Sequence, residues 1–294
     1  MISQKISTNY SEGVADEIVA LKGYQDSQYE ILHASRTVND YITNKETSSV
    51  AAKEYAKLLS YLPKGPLKIL DIGVGMGQSS ALLASKGHEV YALEPNPVYC
   101  DIIAQLAKKM NLNIRTIEGV AEDLDKLGEQ NFDVVFFNAS LHHCDQPNKA
   151  LENSYNLLKQ DGYIVLASEN YLRPWMSKKR WYYKLEHFPE QMGHYGGNEH
   201  VYYNWEYVNF LKTNRFRHIQ LTPSAYETEP LERLEVILSK RINGVRVYSP
   251  SRVMARLLYY MTTSAVLKST FLFNLLSRTS VVAANFIGRK ASKL

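Results

Sequence analysis

The stretch Leu70-Asp71-Ile72-Gly73-Val74-Gly75-Met76-Gly77 decides the fold. It lies between a short apolar run, Leu67 to Ile72, and a helix-compatible segment, Ser79 to Gly87, so it reads as strand, tight turn and helix. Closely spaced glycines let the chain turn sharply and let its backbone approach a ligand with no Cβ in the way. On the N-terminal side, Ser48, Ser49 and the run VAAKEYAKLLSYL predict a helix, which Pro63, Gly65 and Pro66 stop. On the C-terminal side the alternation continues. Strands are predicted at His88–Glu94, Asn113–Glu118, Phe132–Asn138 and Tyr163–Glu169, and helices at Asn96–Met110, Glu122–Leu127 and Gln146–Lys159. The run FDVVFFN (132–138) is apolar on both faces, as a strand covered from both sides requires. Strands and helices alternating at this spacing make βαβ crossovers, hence an α/β domain with a doubly wound, Rossmann-like parallel sheet.

That domain spans residues 45–225. A helix at Trp205–Lys212 and a strand at Phe216–Leu221 complete the predicted sheet, and a segment rich in Trp, Tyr, His and Gly at 170–204 interrupts it as a substrate insertion. Residues 1–44 read as an N-terminal arm or lid with a short helical stretch at Glu12–Leu21. Residues 226–294 read as a basic, helical C-terminal extension. From Lys240 to Leu294 there are ten Lys or Arg and no Asp or Glu, leaving 24 basic and 30 acidic residues before it, so a net charge of +4 hides an acidic body and a basic tail.

Composition excludes several classes. At 294 residues, 45% hydrophobic and 22% charged, the chain has enough material for an apolar core without staples, and it is neither fibrous nor a multi-span membrane protein. Its two cysteines, Cys100 and Cys144, have no CxxC spacing and read as reduced thiols. The first residues, MISQKISTNYSEGVADE, lack a charged leader followed by an apolar run. The expected location is therefore cytoplasmic.

A Gly-rich turn alone does not name a ligand. A dinucleotide turn needs G-x-G-x-x-G, but the sixth position is Gln78 counted from Gly73 and Ser80 counted from Gly75. No G-x-x-x-x-G-K-[ST] occurs either. What LDIGVGMG resembles, together with the acidic residue ending the second strand (YALEPNP, Glu94), is motif I and its partner in class I S-adenosylmethionine-dependent methyltransferases of the type 11/12-like kind. The resemblance extends through Glu122-Asp123, FDVVFFNASLHH and LLKQDGYIVLASE, covering about residues 50 to 222 in the family's order. It implies S-adenosylmethionine as cofactor. Asp71, Gly73 and Gly75 would line the aminocarboxypropyl and sulfonium side, with Gly77 in the same cofactor-binding set. Glu94 would accept both ribose hydroxyls, Ala121 and Glu122 would face the adenine, and Asn138 and Ala139 would floor the site near the methyl group.

Methyl transfer from a sulfonium is an in-line displacement, so the protein mainly positions the acceptor and, for a hydroxyl, removes a proton. His142 and His143 follow the fourth strand, where the methyl group is expected, and His143 is the favoured base; the other reading is that both histidines hold the loop. In and beside the insertion, Glu169, His187, His194, Glu199 and His200 could act as base, metal ligands or acceptor contacts. No HxxxH or HExxH spacing occurs, so no metal is expected. The aromatic residues Trp175, Trp181, Tyr182, Tyr183, Tyr195, Tyr202 and Tyr203 suit stacking on an acceptor or packing of a lid; Trp175, Tyr195, His194, His200 and Glu169 form the expected acceptor set.

The tail after Pro250 reads as apolar and cationic but too interrupted to span a bilayer, which suits peripheral contact with an anionic membrane face, a cap on the core or a dimer contact. The expected function is O-methylation of a small-molecule, sugar or lipid-linked acceptor. C- or N-methylation and a non-catalytic S-adenosylmethionine-binding partner protein are the alternatives, and nucleic acid is not an expected partner.

Overall fold

The computed structural model describes residues 4–21, 27–43, 50–188, 198–224, 240–242, 245–247 and 269–291. In chain order the elements around the glycine turn are β1 (Gln4–Lys5), α1 (Glu12–Leu21), α2 (Ser27–Ile42), α3 (Val50–Leu59), β2 (Lys68–Ile72), α4 (Gln78–Ala84), β3 (Glu89–Glu94), α5 (Pro97–Met110) and β4 (Ile114–Glu118). A 3₁₀ turn at Ala121–Lys126 leads to β5 (Phe132–Asn138), a second one at Leu141–His143 leads to α6 (Pro147–Leu157), and β6 (Leu158–Ala167) follows. The insertion holds β7 (Tyr171–Leu172), α7 (Lys178–His187) and β8 (Tyr202–Tyr203), and α8 (Asn204–Thr213) and β9 (Phe216–Thr222) come next. Then come β10 (Lys240–Ile242), β11 (Val245–Val247), α9 (Thr270–Arg278) and β12 (Asn285–Lys290).

Eight strands form one sheet in the order β1-β4-β3-β2-β5-β6-β12-β9. All neighbours from β1 to β6 run parallel, and β12 runs antiparallel to both β6 and β9. The side-chain period of two sorts the core onto two faces. Leu70, Ile72, Val135, Phe137, Ile164 and Leu166 pack with Leu151 of α6 and with Tyr207 and Leu211 of α8. Ile69, Val134, Phe136 and Val165 pack on the other side with Val38 of α2, Leu58 of α3, Leu82 of α4 and Ile102 of α5. Local chemistry sets the helix ends. Asn96 caps α5 by accepting from the Val98 N–H at 3.0 Å, with Pro97 in the first turn, and Asn111 closes it in the left-handed conformation at φ 51°.

The structure departs from the sequence reading at both ends. Residues 4–21 and 27–43 are built into the fold rather than set apart as an arm: β1 pairs with β4, and a second helix, α2, packs in the core against α4 and α5. Residues 226–294 are not simply a helical extension. Lys240–Ile242 and Val245–Val247 pair as antiparallel strands, around the Asn243-Gly244 dipeptide that favours tight hairpins. More consequentially, β12 lies inside the sheet, with Phe286 in one core face and Ile287 in the other. The predicted sheet therefore lacked an interior strand. Within β6, Asp161 takes the left-handed conformation at φ 62°.

Asn285 fastens this strand. It is fully buried, its Oδ1 accepts from the Ser168 N–H at 3.1 Å, and its Nδ2 donates to the Glu54 carboxylate. Asn285→Ala leaves a backbone N–H and a buried carboxylate without these partners, which should cost about 2–3 kcal/mol of stability. Chemical denaturation with the slope held fixed checks this; a loss under about 0.5 kcal/mol would show that β12 is held by its ladder alone.

Candidate active site

Sheet order reverses at β2, which has β3 on one side and β5 on the other, so the loops leaving these strands diverge and open a cleft at their carboxyl ends. The cleft has a cavity volume of about 180 Å³ and opens to solvent. Its walls come from Val14 and Glu17 of α1, Gly73 and Gly75, Leu93 and Glu94, Gly119 to Glu122, and Ala139, Ser140, His143 and Cys144.

The glycine turn needs its glycines for different reasons. Gly73 and Gly75 are left-handed at φ 65° and 54°. A Cβ on Gly73 would lie 2.5 Å from the Ser140 Cβ, whereas one on Gly75 would meet nothing within 4 Å. Gly77 does not line the cleft: it caps α4 at φ 82° with its α-carbon against Ile103. Asp71 does not line it either. Its carboxylate is fully buried under the turn, where Oδ2 accepts from the Ser79 and Ser80 hydroxyls at 2.7 Å each and Oδ1 has no partner.

Glu94 closes the cleft at the end of β3. Its Oε2 accepts from the Gly75 N–H at 2.8 Å and its Oε1 from the Asn96 N–H at 3.0 Å. Burial raises its pKa to about 8 against the pull of those two N–H groups, and the Glu17 charge adds to the rise. Glu122 lines the same cleft, its Oε1 accepting from the Gln146 N–H at 3.0 Å, and burial raises its pKa too.

The loop after β5 is organised by Glu169. Its Oε1 accepts from the Ser140 and Leu141 N–H groups at 3.2 and 3.1 Å; its Oε2 accepts from the His142 N–H at 3.1 Å and lies 2.6 Å from His142 Nδ1. Glu169 thus faces a second, more open cleft with Asn138, Ala139, His142 and Asn285 rather than the first, and Asn138 lines only that second cleft. The Ser140 hydroxyl donates to the Ile72 carbonyl at 2.7 Å, tying this loop to β2. Burial opposes charge on His142, but Glu169, Glu199 and Glu17 outweigh it and raise its pKa. His143 lies on the wall of the first cleft. Its Nδ1 is 2.6 Å from the Asn198 carbonyl, which fixes Nδ1 as the protonated nitrogen and leaves Nε2 the lone pair. Burial, helped by His142, lowers its pKa.

The expected acceptor set is only partly gathered here. The His200 N–H donates to the His142 carbonyl at 3.0 Å, which brings the end of the insertion to this wall. Trp175 stands 65% exposed, away from both clefts, stacked under the Arg173 guanidinium. Trp181, Leu172 and Val201 make a small core that holds the insertion together. His194 and Tyr195 lie outside the described residues. Glu17, Ser140 and Asn198 were not found from sequence; an acidic residue on an amphipathic N-terminal helix carries no motif, and the other two matter through backbone and packing.

A family profile described as a methyltransferase domain matches residues 70–166. Residues 70–166 are thus similar to the class I S-adenosylmethionine-dependent methyltransferase domain. Among curated proteins, the chain is 25% identical over 157 residues to the tRNA 5-carboxymethoxyuridine methyltransferase of Escherichia coli K12, covering 50% of this chain and 58% of that one. It is 33% identical over 131 residues to the ubiquinone biosynthesis O-methyltransferase of Cereibacter sphaeroides, covering 45% and 51%. The chain spans about half the length of these relatives in each match. In fold it is similar to Haemonchus contortus phosphoethanolamine N-methyltransferase 2 in complex with S-adenosyl-L-methionine, at TM-score 0.55 and 16% identity over 96% of this chain and 62% of that one. S-adenosylmethionine is the cofactor of the family, and the cleft fits it. The open space over Gly75 and the carboxyl group at the end of β3 suit a hydroxyl-bearing nucleoside.

The raised carboxyls make stability depend on pH. Glu94 moves from 4.5 to about 8 and Asp71 from 3.8 to about 6 on folding, so each contributes stability that is complete below its unfolded pKa and lost as pH rises through its folded one. The melting temperature of the cofactor-free protein should fall between about pH 4.5 and pH 8, and Glu94→Ala should flatten the part above about pH 6. A wild-type curve that is level across this window would show that Glu94 ionises at its ordinary value.

Proposed function

We propose that this protein transfers a methyl group from S-adenosylmethionine to a hydroxyl of a small-molecule, sugar or lipid-linked acceptor. The observation that carries this reading is His143, which presents an unprotonated Nε2 on the wall of the cofactor cleft while Asn198 and the Glu169-bound His142 hold it in place. When bound, the cofactor supplies a sulfonium methyl, so the new C–O bond forms as the C–S bond breaks and its electron pair stays on sulfur. The acceptor's proton passes to His143 Nε2. Gly73 and Gly75 give the cofactor backbone contact, Glu94 accepts the ribose hydroxyls while its oxygens keep the Gly75 and Asn96 N–H groups, and Ala121 and Glu122 flank the adenine. The buried acceptor of Asp71, held by Ser79 and Ser80, keeps negative charge under the turn near the expected ammonium.

Two substitutions separate binding from chemistry. Glu94→Ala should weaken S-adenosylmethionine and S-adenosylhomocysteine binding about 10- to 100-fold by calorimetry. His143→Ala should leave cofactor affinity within about twofold and lower kcat about 100-fold or more on a hydroxyl acceptor. An unchanged kcat would remove His143 as base and favour C- or N-methylation.

A second reading concerns location. Among the described residues no helix is long and apolar enough to cross a membrane. Yet α9, in the basic end of the chain, turns Phe271 (74% exposed), Leu272 and Leu275 outward beside Arg278, while Phe273 and Ser277 face the core. This amphipathic arrangement supports peripheral contact with an anionic membrane face through residues 251–294, of which 251–268 and 292–294 lie outside the described residues. Phe271→Glu with Leu275→Glu, which spares β12, should reduce co-sedimentation with vesicles containing phosphatidylserine at least fivefold. Equal sedimentation of wild type and variant would leave α9 an ordinary surface helix.

A further inference from the structure

We propose that His142, His143 and Glu199 form a binding site for a divalent transition-metal cation. The ligand atoms of these three residues all lie within 4.8 Å of one another. The two imidazoles are already oriented by other groups, and this makes the cluster a built site. His142 Nδ1 is held by the Glu169 carboxylate at 2.6 Å and His143 Nδ1 by the Asn198 carbonyl at 2.6 Å. A metal-binding histidine has this arrangement: one ring nitrogen is tied to a carboxylate or carbonyl, which fixes the tautomer and aims the other nitrogen at the ion. Both free Nε2 atoms are aimed at one carboxylate, with His142 Nε2 3.8 Å from Glu199 Oε1 and His143 Nε2 3.8 Å from Glu199 Oε2.

Those two distances decide the chemistry. At 3.8 Å neither contact is a hydrogen bond. A shared ion with bonds of about 2.1 Å to nitrogen and about 2.1 Å to oxygen spans a gap of that size. Glu199 is itself placed: its Oε1 accepts from the Asn170 side chain at 2.8 Å. The surroundings favour positive charge, since the carboxyl groups of Glu17, Glu169 and Glu199 gather around the two imidazoles. Two imidazole nitrogens and one carboxylate select zinc, iron(II), cobalt, nickel or manganese over magnesium or calcium, which prefer oxygen ligands alone. Sequence spacing hides the site because two ligands are adjacent and the third comes from the end of the insertion.

The site draws on the same His143 lone pair that the proposed reaction uses, so a bound cation and a free His143 base exclude one another. In that respect alone the inference rests on the functional reading; binding itself is read without cofactor or acceptor. The test is titration of the untagged, chelator-treated full chain with Zn²⁺ and separately with Co²⁺. One equivalent should bind with micromolar or tighter affinity, and the cobalt spectrum should show d–d bands without thiolate charge transfer, which excludes Cys100 and Cys144 as ligands. Glu199→Ala, at the partly exposed edge of the site, and His142→Ala should each weaken binding at least tenfold, with circular dichroism confirming the fold. No binding of either ion, thiolate bands, or affinity unchanged in Glu199→Ala would overturn the site and leave the methyl-transfer reading standing. Tight binding together with a kcat unaffected by His143→Ala would sink the base and keep the metal.

Discussion

One carboxylate, that of Glu169, holds the geometry of the site. It stands just past the end of β6, buried, and gathers three successive backbone N–H groups from Ser140, Leu141 and His142 as well as the His142 ring. A loop cannot normally satisfy consecutive N–H groups inside a protein, because no helix or ladder continues there. Glu169 does so from the neighbouring strand, and the 3₁₀ turn at Leu141–His143 follows from it. The position of His143 on one cleft and of His142 on the other are both consequences of that turn. The parallel pairing of β5 with β6, in register from Val134↔Tyr163 to Asn138↔Ala167, brings the carboxylate within reach.

The legible part of this protein was the part whose reasons are local. Strands β2 to β6 each announce themselves by a run of apolar residues and a polar or glycine end, and β5 coincides with its predicted bounds because Phe132–Asn138 is apolar on both faces. The turn between β2 and α4 could be read from glycines that the backbone demands at positive φ. Strand β12 could not. Its period is short, its charge suggests a tail, and its partners lie far away in sequence: Asn285 meets Ser168 at a separation of 117 residues and Glu54 at 231. Helix α2 escaped for a related reason, since its buried residues, Ile31, Ala34, Val38 and Tyr41, are interleaved with polar ones that mask the stripe.

Within the site, sequence indicated which residues gather better than which way they face. Asp71 belongs to the glycine turn yet points under it, because Ser79 and Ser80 in the first turn of α4 offer hydroxyls to a carboxylate that would otherwise be buried bare. Glu17 reaches the cleft only because α1 is carried there after β1 joins β4, a pairing that two residues of strand do not advertise. Glu199 was among the candidates for its residue type, and its relation to both histidines emerges only when the insertion folds back and the His200 N–H meets the His142 carbonyl.

The interior place of β12 also bears on how the chain assembles. During synthesis β6 and β9 leave the ribosome well before the strand that must sit between them, so each carries an unpaired edge while more than sixty further residues are made. Neither edge can be covered by the other without losing the slot. Closing the sheet across so long a stretch of chain makes its completion a late and slow event, and the nascent protein passes through a stage with two sticky edges. Anything that delays or damages the final strand would be felt as aggregation of an otherwise well-formed domain before it was felt as a loss of chemistry.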